Sequence, residues 1–259
     1  MKKRNILFVI FIILLLFSCS KRNTQDNNLL LTGEEILPDL ADAIAFFSQG
    51  ASGIYQENPF FIMELNDILE QDPYFYLLVD KQNHLSLDYE PYDLVPLRAV
   101  SFRITRDDLM LRRIPAQALE EMAAAARADG VVLTVGSSYR SAARQAEIYA
   151  WNVRTYGQEA ADRQSAQAGT SQHQLGTVVD FSPIDDSFAL TPASSWLIEN
   201  ASRFGWSLSY PDGYEDITGY RWESWHYRYV GRDLAAFIDT YFDGIQQYAL
   251  EFIQTWRQY

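Results

Sequence analysis

The chain has 259 residues, 48% of them hydrophobic and 21% charged, which supplies a sizeable core and excludes a largely disordered protein. It carries 21 basic against 34 acidic side chains, net −13, so it lacks the electrostatic footprint of a nucleic-acid binder. Its single cysteine excludes an internal disulfide.

In chain order, Lys2-Lys3-Arg4 is followed by an apolar run from Ile6 to Phe17. That run is short for spanning a bilayer and has the length of a signal-peptide core. It ends at Leu16-Phe-Ser-Cys19, which resembles a bacterial lipobox, with Phe17 bulkier than the usual small residue. Residues 1–18 are therefore expected to be a lipoprotein signal peptide, with cleavage before Cys19 and lipid on its thiol. A short membrane anchor and an ordinary secretory signal are the competing readings. The only cysteine standing at the end of the apolar run favours the lipoprotein, an exported protein anchored to a bacterial membrane. Removing residues 1–18 takes away three bases and no acid, leaving 18 basic against 34 acidic side chains. Residues 19–32, polar from Ser20 to Asn28, read as a tether.

From 33 to 72, Leu40, Ile44 and Phe47, then Phe61, Leu65 and Ile68, recur at helical spacing and predict two helices in an extension. A strand is expected from Tyr74 to Val79, with Pro91 to Pro96 as an extended covering segment. The main domain is placed at 73–232. It is expected to hold a helix from Pro115 to Ala128 ended by Asp129-Gly130, a strand from Val131 to Val135, a turn at Gly136-Ser-Ser, and a helix from Ser141 to Thr155. Strands follow at Thr177–Phe181, Trp206–Tyr210 and Trp225–Val230, with a helix from Ser194 to Phe204 closed by Gly205. This mixture is α+β. Residues 233–259 carry Leu234, Ile238, Tyr241, Ile245, Tyr248, Phe252 and Trp256 as the stripe of one long amphipathic helix, which lacks a basic membrane-facing side.

The chemistry concentrates in Ser171-Gln-His173-Gln-Leu-Gly176-Thr-Val-Val-Asp180 and in Glu223-Ser-Trp225-His226. A catalytic zinc takes three protein ligands and leaves a position for water, a requirement that His173, Asp180 and His226 meet with Glu223 as base. Of the three histidines, His84 alone stands outside this group. Residues 173 and 180 are an odd number apart, so a regular strand would face them oppositely and Gly176 must redirect the chain. Asp180 in an apolar strand is an isolated charge that a cation would compensate. A lone buried histidine is more often a core residue than a ligand, and a lone Glu223 would be a solvated acid. The conjunction of all four outweighs both readings.

Together with Ser138-Tyr-Arg140-Ser, Gln145, Ile217-Thr-Gly219 and the continuation Tyr227-Arg-Tyr-Val-Gly231, these motifs resemble the VanY-type D-alanyl-D-alanine carboxypeptidases, over roughly Tyr76 to Gly231. The resemblance implies the fold shared by hedgehog signalling domains and zinc D,D-peptidases, a small antiparallel sheet with flanking helices. It implies zinc on His173, Asp180 and His226, Glu223 as catalytic base, Arg140 at the oxyanion, and Gln145 and Ser171 against the peptide. The chain departs from the family at Ser224, commonly proline, and at Ser209, commonly arginine, and Ser209 is expected to bear on peptide specificity. The implied partner is the peptidoglycan stem peptide, with loss of its terminal D-alanine. The alternatives are an L,D-carboxypeptidase, a D,D-dipeptidase, a cross-link endopeptidase, or a non-catalytic peptidoglycan-binding lipoprotein. A serine-type carboxypeptidase is excluded, since Ser-x-x-Lys occurs only at Ser18 and Lys21, across the expected cleavage point. No protein partner can be inferred.

Overall fold

The computed structural model describes residues 60–258; the expected signal peptide, Cys19, the tether and the helix through Leu40, Ile44 and Phe47 lie outside them. Helix α1 (Phe61–Leu69) buries Leu65 and Ile68 on one face, as their spacing requires. The strand expected from Tyr74 is instead helix α2 (Pro73–Tyr76). Asp72 caps it by accepting from the Tyr74 N–H at 3.0 Å, and Pro73 enters it with φ already set. The backbone turns extended only at Leu77.

Strand β1 (Leu94–Pro96) pairs antiparallel with β3 (Met110–Arg112). A second sheet holds β2 (Arg103–Ile104), β4 (Thr134–Ser137), β5 (Val178–Phe181), β6 (Trp206–Leu208) and β7 (His226–Tyr229), in the order β2-β4-β5-β7-β6. Its pairings are antiparallel except β2 with β4, so the expected antiparallel sheet carries one parallel edge pair. Where a turn was expected at Gly136, β4 runs on to Ser137 with an irregularity in its pairing to β5.

Helix α3 (Arg113–Ala128) lies over one face of this sheet, with Ala118, Leu119, Met122, Ala123 and Ala126 buried against Val135, Val179, Phe181, Trp206, Tyr227 and Tyr229. Each large apolar side chain removed from water there contributes about 1.5–3 kcal/mol. Helices α4 (Ala142–Tyr156), α5 (Gln158–Gln164), α6 (Pro192–Asn200) and α7 (Glu215–Thr218) complete the domain. The chain from Glu64 to Gln258 forms one compact unit, without a break at 72/73 or 232/233.

The single C-terminal helix expected from Leu234 to Trp256 is two, α8 (Arg232–Tyr241) and α9 (Gln246–Trp256). Asp243 at φ 51° and Gly244 at φ 76° cannot continue a right-handed helix, and the helix breaks there. Of the expected stripe, Leu234, Ile238, Tyr241, Ile245 and Phe252 are buried and Tyr248 and Trp256 half-buried, while Leu250 and Ile253 are inaccessible to solvent as well. Among the described residues no helix is long and apolar enough to cross a membrane.

Candidate active site

Strand alternation sorts the chemistry onto one side of the sheet. On β5, Val179 and Phe181 join the core while Asp180 faces away; on β7, Tyr227 and Tyr229 join the core while His226 and Arg228 face away. The register sets Asp180 opposite Ser137 of β4 and opposite His226 of β7. Arg228, fully buried, gives Nη2 to the carbonyls of Tyr74, Phe75 and Leu77, so it serves the end of α2 and not the site.

His173 stands on a 3-10 turn, Gln172–Leu175, that precedes β5. Gly176 ends the turn at φ 70°, the left-handed region that glycine enters without cost. A Cβ there would also lie 3.0 Å from Arg112 Cγ and Leu94 Cδ2. The glycine thus swings His173 over the polar side of the sheet, to Asp180.

His173 Nε2 lies 3.1 Å from Asp180 Oδ2, and His226 Nδ1 lies 3.0 Å from Asp180 Oδ1. The three residues are buried, and one ligand atom from each falls within 4.8 Å of the others. Asp180 Oδ1 has no hydrogen-bond partner of acceptable geometry despite that short approach. At Oδ1 the nitrogen is thus close without a hydrogen bond, which fits donors that would share a cation. Two imidazoles and a carboxylate form a donor set that suits zinc. Each ring's outer nitrogen faces an acceptor: His173 Nδ1 meets the Ser138 carbonyl at 2.7 Å, and His226 Nε2 meets Gln172 Oε1 at 3.3 Å. The protons belong on those outer atoms, which leaves His173 Nε2 and His226 Nδ1 as lone pairs facing inward. His84 is exposed in a loop, its Nε2 against the Lys81 carbonyl.

Glu223 Oε2 lies 3.5 Å from His226 Nδ1. Its turn is fixed by its N–H to the Tyr210 carbonyl at 3.0 Å and its carbonyl to the His226 N–H at 3.1 Å. Burial, then the charge of Asp180, push the Glu223 carboxyl well above the ordinary range, against the opposing pull of Arg221 and Arg140. Burial raises Asp180 too, but the two imidazoles outweigh it and hold that carboxyl well below its usual value. Burial lowers His173 to about 4, so the ring is neutral, as a metal ligand must be.

Arg140 follows β4 directly. Its Nη1 donates to Gln145 Oε1 at 2.7 Å and its Nη2 to Ser137 Oγ at 2.9 Å, with Asp180 Oδ2 3.8 Å away. Gln145 in turn donates to the Ala166 carbonyl at 2.6 Å, so both ends of its amide are engaged within the protein. Arg140, Gln145, Ser171, His173, Asp180, Glu223 and His226 all line one cleft of about 420 Å³. Residues that the sequence did not single out share it: Tyr210, whose ring centroid is 4.7 Å from that of His226, and Tyr220, Arg221 and Trp151. Ser209 is not in this cleft. It is buried behind His226, with its hydroxyl 2.8 Å from Gln172 Oε1, so any bearing on specificity would be indirect. Ser224 is buried with its hydroxyl unpaired.

The family model of VanY, D-alanyl-D-alanine carboxypeptidase, matches residues 108–232, the segment that supplies every one of these groups. In solved structures, the LdcB LD-carboxypeptidase is 33% identical, with a TM-score of 0.63 over 70% of this chain and 88% of that one. A mutant of the vancomycin-resistance D,D-pentapeptidase VanY, solved in complex with Zn(II), is 35% identical with a TM-score of 0.53 over 64% of this chain and 93% of that one. The chain belongs to the VanY family. The putative carboxypeptidase YodJ of Bacillus subtilis is 38% identical over 168 residues, and the match spans 62% of each chain. Both solved VanY-family relatives carry the mixed fold described above, with small sheets and flanking helices.

Proposed function

We propose that this protein is a zinc-dependent carboxypeptidase that removes the terminal D-alanine from peptidoglycan stem peptides. The observation that carries this reading is the convergence of His173, Asp180, His226 and Glu223 in the cleft of a VanY-family chain. In this reading His173 Nε2, the Asp180 carboxylate and His226 Nδ1 hold the metal. Bound zinc supplies electrophilic activation of the scissile carbonyl and makes water acidic enough to lose a proton near neutral pH. Glu223 takes that proton on its carboxylate as the water oxygen attacks the carbonyl carbon. The same carboxyl then gives the proton to the departing amine nitrogen as the C–N bond breaks. Arg140, held by Ser137 and Gln145, directs its guanidinium toward the oxygen that gains charge. Ser171, buried on the cleft wall, and Gln145 are the groups assigned to the peptide, with Gln145 also orienting Arg140.

The same proposal places the protein in the cell envelope, exported through residues 1–18 and anchored by lipid on Cys19, beside its polymer. Labelling cells with a clickable palmitate analogue tests this, and a Cys19→Ser protein that still takes the label would refute it.

A second reading has its own support, because the LD-carboxypeptidase LdcB matches with a higher TM-score than the D,D-pentapeptidase VanY. Mass spectrometry of matched pentapeptide and tetrapeptide muropeptides, incubated with the zinc-loaded full-length protein, separates the two. Loss of one alanine from pentapeptide is the expected result. Loss from tetrapeptide alone moves the assignment to an L,D-carboxypeptidase, and no product from either contradicts both.

A further inference from the structure

Behind His226 lies a buried polar chain that none of the cleft-lining residues belongs to. Gln172 Oε1 faces His226 Nε2 at 3.3 Å and accepts the Ser209 hydroxyl at 2.8 Å. Gln246, from helix α9, closes the space behind Ser209: its Oε1 is 3.4 Å from Ser209 Oγ, and its Nε2 donates to the Ser207 carbonyl at 3.3 Å. Gln172, Ser209 and Gln246 are each at most 3% exposed, so little water competes for these contacts.

An imidazole can present the Nδ1 lone pair inward only if its proton sits on Nε2. Gln172 can stabilise that proton only while its carbonyl, and not its NH2, faces the ring. The reversed amide would donate to Nε2 and favour the proton on Nδ1, which blocks coordination. In the structure Ser209 donates to the same carbonyl oxygen, which holds the oxygen end of the amide at the ring. We propose that Gln172, pinned by Ser209, is a positioning residue that holds His226 in its metal-binding tautomer. Gln172 adjoins His173 on one 3-10 turn, so that turn supplies one ligand and the support of the other. Gln246 lies beyond residue 232, where the family match ends, and it ties the C-terminal helices to this support. The inference rests on the metal reading above and is tested by metal binding instead of turnover.

The test is competition of the full-length protein, in detergent, against a fluorescent zinc chelator. Gln172→Leu keeps the bulk and removes the acceptor, and its zinc affinity is expected to fall by about 10–100-fold, the usual effect of losing a group that orients a ligand. Gln172→Glu retains an acceptor and restores binding; a purely structural role would not be rescued by a buried carboxylate. The melting temperature of the metal-free protein should not change with Gln172→Leu. With only three histidines in the chain, 15N-histidine spectra of the zinc-loaded protein report the Nε2–H of His226 directly. Tight zinc binding by Gln172→Leu with that signal unchanged overturns the positioning role alone. Failure of the wild type to bind zinc overturns the metal centre, and the positioning role with it. If Gln172→Leu does not fold, Ser209→Ala takes its place, and unchanged affinity in that variant overturns the proposal equally.

Discussion

Asp180 and Arg140 show how single side chains set the site's character. Asp180 sits between two imidazoles on the polar face of β5, 3.8 Å from the Arg140 guanidinium, so its charge is held without a direct bond to that cation. Arg140 is instead fixed by Ser137 and Gln145 through two different nitrogens, a geometry that lysine's single ammonium cannot reproduce. Arg140→Lys should therefore lower the turnover number for D-alanine release by about 10²–10³-fold, the effect of losing one oxyanion donor. A change confined to KM would assign Arg140 to ground-state binding. Gly176 makes a prediction about stability. Its φ of 70° strains any other residue, and at 3.0 Å from a new Cβ the side chains of Arg112 and Leu94 would have to shift. Gly176→Ala should cost about 1–3 kcal/mol and displace His173, since both strain and overpacking act there. Equal melting temperatures and equal zinc affinity would contradict that account.

At the scale of elements, α8 and α9 belong to the same compact unit as the sheet. Leu234, Ile238, Leu250 and Ile253 are inaccessible to solvent, and each such side chain is worth about 1.5–3 kcal/mol on burial. A chain ending at Val230 should thus lose most of the 5–15 kcal/mol typical of a folded domain, leaving no cooperative melt by circular dichroism. A sharp transition at the full-length temperature would show the helices to be an appendage. These elements also show what the sequence could and could not reveal. Strands β5 and β7 were legible within a residue or two at each end, because apolar runs flank a single polar ligand. The site was legible because His173, Asp180, Glu223 and His226 lie in two short segments with distinctive spacing. Tyr74-Phe-Tyr76 favoured a strand by aromatic content, and the capping carboxylate of Asp72 with Pro73 overrode it. The Asp243-Gly244 break was hidden by an apolar stripe that continues across it. Strands β1 to β3 are two or three residues long and exist through pairing, while Gln172, Ser209 and Gln246 meet across more than 30 residues of sequence each; neither leaves a local pattern.

For the whole molecule, a metal held at the proposed site would tie the fold together. His173 comes from a turn that precedes β5, Asp180 from β5 itself and His226 from β7, so an ion held by all three cross-links segments that are 53 residues apart at their extremes. Ligands that bind only the folded state stabilise it by mass action, so zinc at about a hundred times its dissociation constant adds about 2.7 kcal/mol. Dialysis against a chelator should lower the melting temperature, and added zinc should restore it. A melting temperature indifferent to both would deny the centre any structural role. The central claim joins metal, base and substrate, and one measurement addresses all three. It is the rate of D-alanine release from pentapeptide muropeptide by the full-length protein, in detergent, as the zinc-loaded wild type, the chelator-stripped wild type and zinc-loaded Glu223→Gln. The account predicts release by the first alone, with Glu223→Gln down by at least about 10²-fold and still holding zinc. Release by the stripped protein, or by Glu223→Gln at the wild-type rate, would contradict it.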